Sequence, residues 1–195
     1  MQQKFIGFFI SFFLCIISAN VFAKSISHAA INIGDSYGGG TVFFIDNSVS
    51  PARGLIAGTQ TSVTGDYIWG DFNGTVSTSP ELFMGDLNTN GMLSQAGGSP
   101  AALAVTSENP APICESPIIT CTDWYLPSLK ELILLWTNKD IAGIYNIKPA
   151  TYWSSTESTA RSSSAWIMTM RDGNVGFYGK TGTKVNVYPI RAFVF

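Results

Sequence analysis

Glu157 is the residue whose neighbours most resemble a reacting group, because it follows Ser154-Ser155-Thr156 and so places an acid beside three hydroxyls. A glycosidase needs a second carboxylate about 5–9.5 Å away, and Asp172 is the nearest acid downstream. The alternative, adopted here, is a buried, hydrogen-bonded glutamate that ties down a loop. Other chemistry has few starting points. His28 is the only histidine, so a Ser-His-Asp or Cys-His site lacks a positioned base. A zinc site of the usual Cys/His kind lacks ligands. Asp86-Leu87-Asn88-Thr89-Asn90-Gly91 resembles the first half of a calcium loop. Its twelfth position, however, is Gly97, where a bidentate glutamate is required, so the segment reads as a helix start or turn. Gly38-Gly39-Gly40 leads into a strand-like run with no Gly-Lys-Ser/Thr after it. A close-packed turn is therefore expected there, not a phosphate loop. No catalytic residue, metal or cofactor is expected.

Binding chemistry has a better candidate in the C-terminal part. Residues 24–123 carry a net −7, whereas residues 124–195 carry +4. Arg161, Arg171, Lys180 and Lys184 fall in expected loops or near hairpin ends. Such side chains offer charged donors suited to sulfate or carboxylate groups. Tyr178, Asn186 and the hydroxyls of residues 154–164 add stacking and hydrogen bonding for a sugar. The alternative is a plain solvated face.

These residues belong to an exported chain. Lys4 precedes the charge-free run Phe5–Ile17, and Val21 and Ala23 place small residues before a cut after Ala23, so residues 1–23 read as a signal peptide. The run falls short of the roughly 20 residues that span a bilayer. No membrane span is expected after cleavage. The remaining 172 residues, read as a leader over 24–32 and one domain over 33–195, suit a single core. Charged residues are 12% of the chain, about half the usual share, and Ser and Thr make up 36 of the 172. The mature net charge of −3 argues against a nucleic-acid partner. Cys114 and Cys121 are the two cysteines left after cleavage. Export makes a disulfide their expected state, worth about 2.5 kcal/mol on the chain-entropy view.

The elements that would position these groups are legible in part. Thr41–Asp46 and Gly54–Gly58 read as paired strands, with Tyr67–Trp69 as a third candidate. Ser99-Pro100 starts a helix through Val105. Ser128 and Glu131 form a capping box, and Leu129, Leu132, Ile133 and Trp136 fall on one helical face. Ala165–Arg171 and Asn174–Tyr178 flank Asp172-Gly173, a two-residue hairpin signal. Val185–Phe195 reads as a terminal strand interrupted at Pro189. The whole is an α+β pattern of short antiparallel strands with one or two helices. Trp124, Trp153 and Trp166 read as core residues.

Taken in order, several segments resemble a known family. They are Tyr37–Asp46, Gly54–Ala57, Asn88-Thr89, Asp123-Trp124-Tyr125-Leu126-Pro127-Ser128-Leu129-Lys130-Glu131-Leu132, Tyr152-Trp153-Ser154-Ser155-Thr156-Glu157, Ala165-Trp166 and Ile190–Phe193. The pattern is similar to the bacterial surface domain typified by the C-terminal domain of the Legionella collagen-like adhesin. The resemblance implies a C-type-lectin-like domain that is secreted or displayed on the outer surface, with the periplasm as the other compartment. The namesake binds sulfated polysaccharides and forms a homo-trimer. Here no Gly-X-Y collagen stalk precedes the domain, and the reactive C-terminal cysteine pair of the related formylglycine-making oxidase is missing. Glu157 and Arg191 recur in the family pattern, which implies that Glu157 is buried with Arg191 as its favoured partner. The function expected is that of a non-enzymatic adhesin binding extracellular glycans, with sulfated or otherwise anionic polysaccharide leading. The second reading is a protein-binding receptor or variable adhesin using the same C-terminal face.

Overall fold

A computed structural model describes residues 30–58, 67–107, 113–114, 119–120, 122–145 and 147–195. The chain divides into residues 1–30 and Ile31–Phe195. The signal segment, His28 and most of the 24–32 leader lie outside the described residues. So does Cys121, and with it the expected Cys114–Cys121 pairing.

Nine strands and three helices follow one another among the described residues. They are β1 (Ser36–Tyr37), β2 (Gly40–Asp46), β3 (Arg53–Gly58), α1 (Gly85–Ser94), α2 (Pro100–Ser107), β4 (Ile113–Cys114), β5 (Ile119–Thr120), α3 (Leu129–Asn138), β6 (Thr151–Glu157), β7 (Ser164–Thr169), β8 (Val175–Gly179) and β9 (Ile190–Val194). The fold is mixed α+β with antiparallel strand pairing. One sheet runs β1-β2-β3-β9, another β6-β7-β8, and β4 pairs with β5. Among the described residues no helix is long and apolar enough to cross a membrane.

The glycine triplet turns the chain from β1 into β2. Gly38 and Gly39 take φ of +53° and +84°, which β-carbon-bearing residues resist. At Gly40 an added Cβ would lie 2.1 Å from the Ala57 carbonyl, so this strand pair closes only on glycine. Beyond β2, the Ser48 hydroxyl and amide and the Arg53 guanidinium hold the Asp46 carboxyl below the usual carboxylate range, and Arg53 Nη2 lies 3.1 Å from Asp46 Oδ2. Leu55, Ile56 and Ala57 are fully buried because β3 lies between β2 and β9.

Helix α3 begins as its sequence requires. The Ser128 side chain accepts from the Glu131 amide, while the Ser128 amide donates to Glu131 Oε2 at 2.7 Å. Leu132 and Leu135 are fully buried, in a cluster with Phe43, Leu55, Tyr152, Met168 and Tyr188. The Glu131 carboxylate also accepts from the Phe83 amide at 2.8 Å and the Tyr125 hydroxyl at 3.4 Å. Burial pushes its pKa from an ordinary 4.5 up to about 7, against those hydrogen bonds, which lower it. The folded protein therefore binds more protons at Glu131 than the unfolded chain between pH 4.5 and 7. Its contribution to stability is present below that window and is lost as pH rises through it, by roughly 3 kcal/mol. Urea unfolding of wild type and Glu131→Gln at pH 5 and 7.5 checks this: the wild-type advantage over the variant should shrink at the higher pH. An advantage that grows with pH would mean the hydrogen bonds outweigh burial.

Three expected elements differ from what is observed. Tyr67–Trp69 forms no ladder with another strand among the described residues, because its backbone is used elsewhere: the Trp69 amide donates to the Lys180 carbonyl at 2.7 Å, and the Ile68 carbonyl accepts from Ala101 at 3.1 Å. The β7–β8 connection is a wider loop than a two-residue turn. Gly173, at φ +76°, lies against the Trp136 ring and donates to the Thr169 carbonyl at 2.8 Å, while Asp172 Oδ1 caps the Asn174 amide at 3.1 Å. The terminal strand is confined to β9, because Asn186 instead bridges to Tyr152 in parallel and the Pro189 carbonyl accepts from Gly58. The Asp86–Gly91 segment lies within α1, where Asn88 and Thr89 point inward, so it does not form a calcium loop.

Candidate functional site

Strand β6 organises the C-terminal region through hydroxyls that the fold itself consumes. Ser154 Oγ donates to the Trp166 carbonyl at 3.1 Å and accepts from the Thr156 amide at 3.2 Å. Thr156 Oγ1 accepts from Leu129 at the start of α3. Asn88 of α1 binds both the amide and the carbonyl of Ser79 and reaches Ser155 Oγ at 3.2 Å. These bonds hold the loop of residues 75–79 along β6. At the strand's end the Glu157 amide donates to Thr78 Oγ1 at 2.8 Å, and the Val76 amide donates to Glu157 Oε2 at 2.6 Å.

Glu157 is buried, as expected, but its cation is different. Lys180 Nζ lies 3.2 Å from Glu157 Oε2, and the lysine side chain is wholly buried. The ammonium also donates to the Gly74 carbonyl and sits 5.0 Å from the Trp69 ring centroid. This overturns the expectation of an exposed, ligand-binding Lys180: it follows β8 directly and turns inward, where the carboxylate and carbonyl compensate its charge. Arg191 is not the partner of Glu157. It belongs to β9 in the other sheet, donating from Nη1 to the Gly38 carbonyl at 2.8 Å and from Nη2 to Asp123 at 2.9 Å.

The remaining expected ligand residues do not converge. Arg161 is exposed in the β6–β7 turn, its guanidinium 4.8 Å from the Phe177 ring centroid. Phe177 pairs across strands with Trp166, their rings edge-on at 5.9 Å. Arg171 is exposed beyond the other end of β7, a six-residue strand, so the two arginines are separated by roughly 20 Å of extended chain. Lys184 is exposed at φ +69° in the segment after β8, two residues before Asn186, which pairs with Thr151 and Tyr152 at the Arg171 end of the sheet. Tyr178 is 47% exposed but faces away from Phe177, its ring 6.2 Å from that of Trp153. Asn186 is structural, donating to the Thr151 carbonyl at 3.1 Å. Trp124 and Trp153 are buried as expected, whereas Trp166 is half-buried on the Phe177 face.

A pocket of about 300 Å³ lies between the 75–78 loop and the β6–β7 turn, lined by Thr75, Val76, Ser77, Thr78, Glu157, Ser158, Thr159 and Ser162. Glu157 is the one acid in this lining. A second recess of about 390 Å³ is lined by Ile68, Gly70, Asp71, Ala96, Gly97, Gly98 and Thr181. Among the described residues no group of three or more His, Cys, Asp or Glu side chains is placed to hold a metal. Sequence reasoning missed Phe177 and the 75–78 side of the pocket, whereas the 154–164 hydroxyls it named for sugar binding include Ser158, Thr159 and Ser162 of the lining. Phe177 is signalled by alternation along β8, whereas the pocket joins segments some 80 residues apart and has only its hydroxyl content as a signal.

No protein-family model matches this chain, and no curated protein matches it in sequence.

Proposed function

We propose that this chain is an exported, C-type-lectin-like domain of the adhesin kind that binds extracellular glycans without catalysis, from the outer surface or in secreted form. The observation that carries the reading is the exposed Phe177 of edge strand β8, flanked by Arg161 of the β6–β7 turn and the half-buried Trp166 of β7. An aromatic face offers a sugar ring a stacking platform, and a guanidinium stacked beside it offers forked donors to a sulfate or carboxylate on the same glycan. The motif resemblance supports the same assignment. Anionic preference rests on Arg161; Lys180 and Arg171 do not contribute to it.

A sulfated-polysaccharide column tests this. Wild-type protein should be retained at low salt and released as salt rises, since exposed attraction is screened within about 8 Å at physiological ionic strength. Arg161→Ser with Phe177→Ala should weaken binding about tenfold, the sum of one exposed charge and one aromatic contact. Arg171→Ser should leave retention nearly unchanged. Passage of folded wild type through the column at low salt would reject anionic glycan binding.

One observation favours a protein ligand as the second reading. Among the described residues strand β8 ends its sheet, and it exposes Val175, Phe177 and Tyr178. An unpaired apolar edge is a template for strand addition by another chain.

A further inference from the structure

We propose that the pocket between the 75–78 loop and the β6–β7 turn is a subsite for an uncharged, hydroxyl-rich sugar unit; this deepens the glycan reading and rests on it. Six of the eight lining residues carry hydroxyls: Thr75, Ser77, Thr78, Ser158, Thr159 and Ser162. Ser158 supplies the decisive feature. Its amide donates to the Ser164 carbonyl at 2.9 Å and its carbonyl accepts from Arg161 at 3.3 Å, so its backbone is fully used. Its Oγ is buried and has no hydrogen-bond partner in the described protein. Buried hydroxyls are rarely left so; Ser158 lines the pocket, and a χ1 rotation would turn this hydroxyl from its buried position toward a ligand there.

Charge selects against ionic ligands. Glu157 lines the pocket, and its carboxylate is already matched by the buried Lys180 ammonium. An anion would meet Glu157, and a cation would compete with a lysine that cannot leave. A neutral group that both donates and accepts hydrogen bonds avoids both penalties. The volume, about 300 Å³, is at the small end of the roughly 300–1,000 Å³ seen for small-molecule sites, which suits one or two rings and not a length of polymer. Arg161 lies in the same turn, between lining residues Thr159 and Ser162.

The test uses protein produced from the full chain and the methyl glycosides of glucose, galactose, mannose, N-acetylglucosamine and fucose, read by saturation-transfer NMR. At least one should bind in the millimolar range. Ser158→Ala should weaken that binding about tenfold, the loss of one hydrogen bond. Ser162→Trp, a change at an exposed rim residue, should block it while leaving the urea-unfolding midpoint unchanged. If no glycoside binds, or if both variants bind as wild type does, the pocket assignment is overturned. With sulfated-column retention intact, that failure belongs to the pocket alone. Glycoside binding without column retention would uphold the pocket and overturn the anionic preference instead.

Discussion

Lys180→Met should destabilise the folded protein by about 3–5 kcal/mol, the usual result of removing one partner from a buried ion pair. The methionine fills most of the lysine's volume, so the loss is electrostatic. Glu157 would keep its Val76 amide bond but lose the ammonium 3.2 Å away, and the Gly74 carbonyl would lose its donor. Adding Glu157→Gln to Lys180→Met should recover part of the deficit, because the uncompensated charge is then gone. Urea unfolding of both variants measures this. A single-variant loss below about 1 kcal/mol would mean that water reaches Glu157 when the lysine is removed.

Trp153→Ala should cost a similar amount, about 3–5 kcal/mol, for the cavity left by a buried indole. Trp153 is wholly buried, in a cluster with Trp69, Met92, Leu126 and Val187. It also anchors an otherwise unladdered segment. Its Nε1 donates to the Tyr67 carbonyl at 2.8 Å, while Trp69 Nε1 donates to the Ser154 carbonyl at 2.8 Å, so β6 and residues 67–69 are tied in both directions. Trp153→Phe should cost less, retaining much of the packing and losing the hydrogen bond, worth about 1 kcal/mol. Trp166→Ala should also cost less than Trp153→Ala, because its ring is half-exposed beside Phe177. Equal losses at Trp153 and Trp166 would contradict the burial difference between them.

Much of the scaffold was legible because its signals are local. The capping box and the i, i+3, i+4 leucine spacing identify α3, the Ser99-Pro100 start identifies α2, and the β2–β3 and β7–β8 pairs follow from apolar runs around turn residues. The parts that escaped depend on distant partners. Helix α1 buries Gly85, Asn88, Thr89 and Met92, a face with little apolar character that periodicity does not detect. The β6 hydroxyls look like surface but are buried, because loops and helices from elsewhere accept and donate to them. Lys180 is the sharpest case. A lone lysine is expected in water, and only the inward turn after β8, which brings it to a carboxylate 23 residues earlier, makes its burial tolerable. The strip proposed to bind glycan was half legible: Arg161 was identified from its charge, but Phe177, which its guanidinium lies over, was not.

Glycan recognition itself is read most directly on an array carrying sulfated, carboxylated and neutral glycans, probed with folded, exported protein. The expected result is binding to sulfated or carboxylated members above neutral ones, weakening as salt is raised and about tenfold weaker in Arg161→Ser with Phe177→Ala. An array on which no glycan retains the protein would contradict glycan binding, and the exposed β8 edge would then have to be explained as a site for another protein.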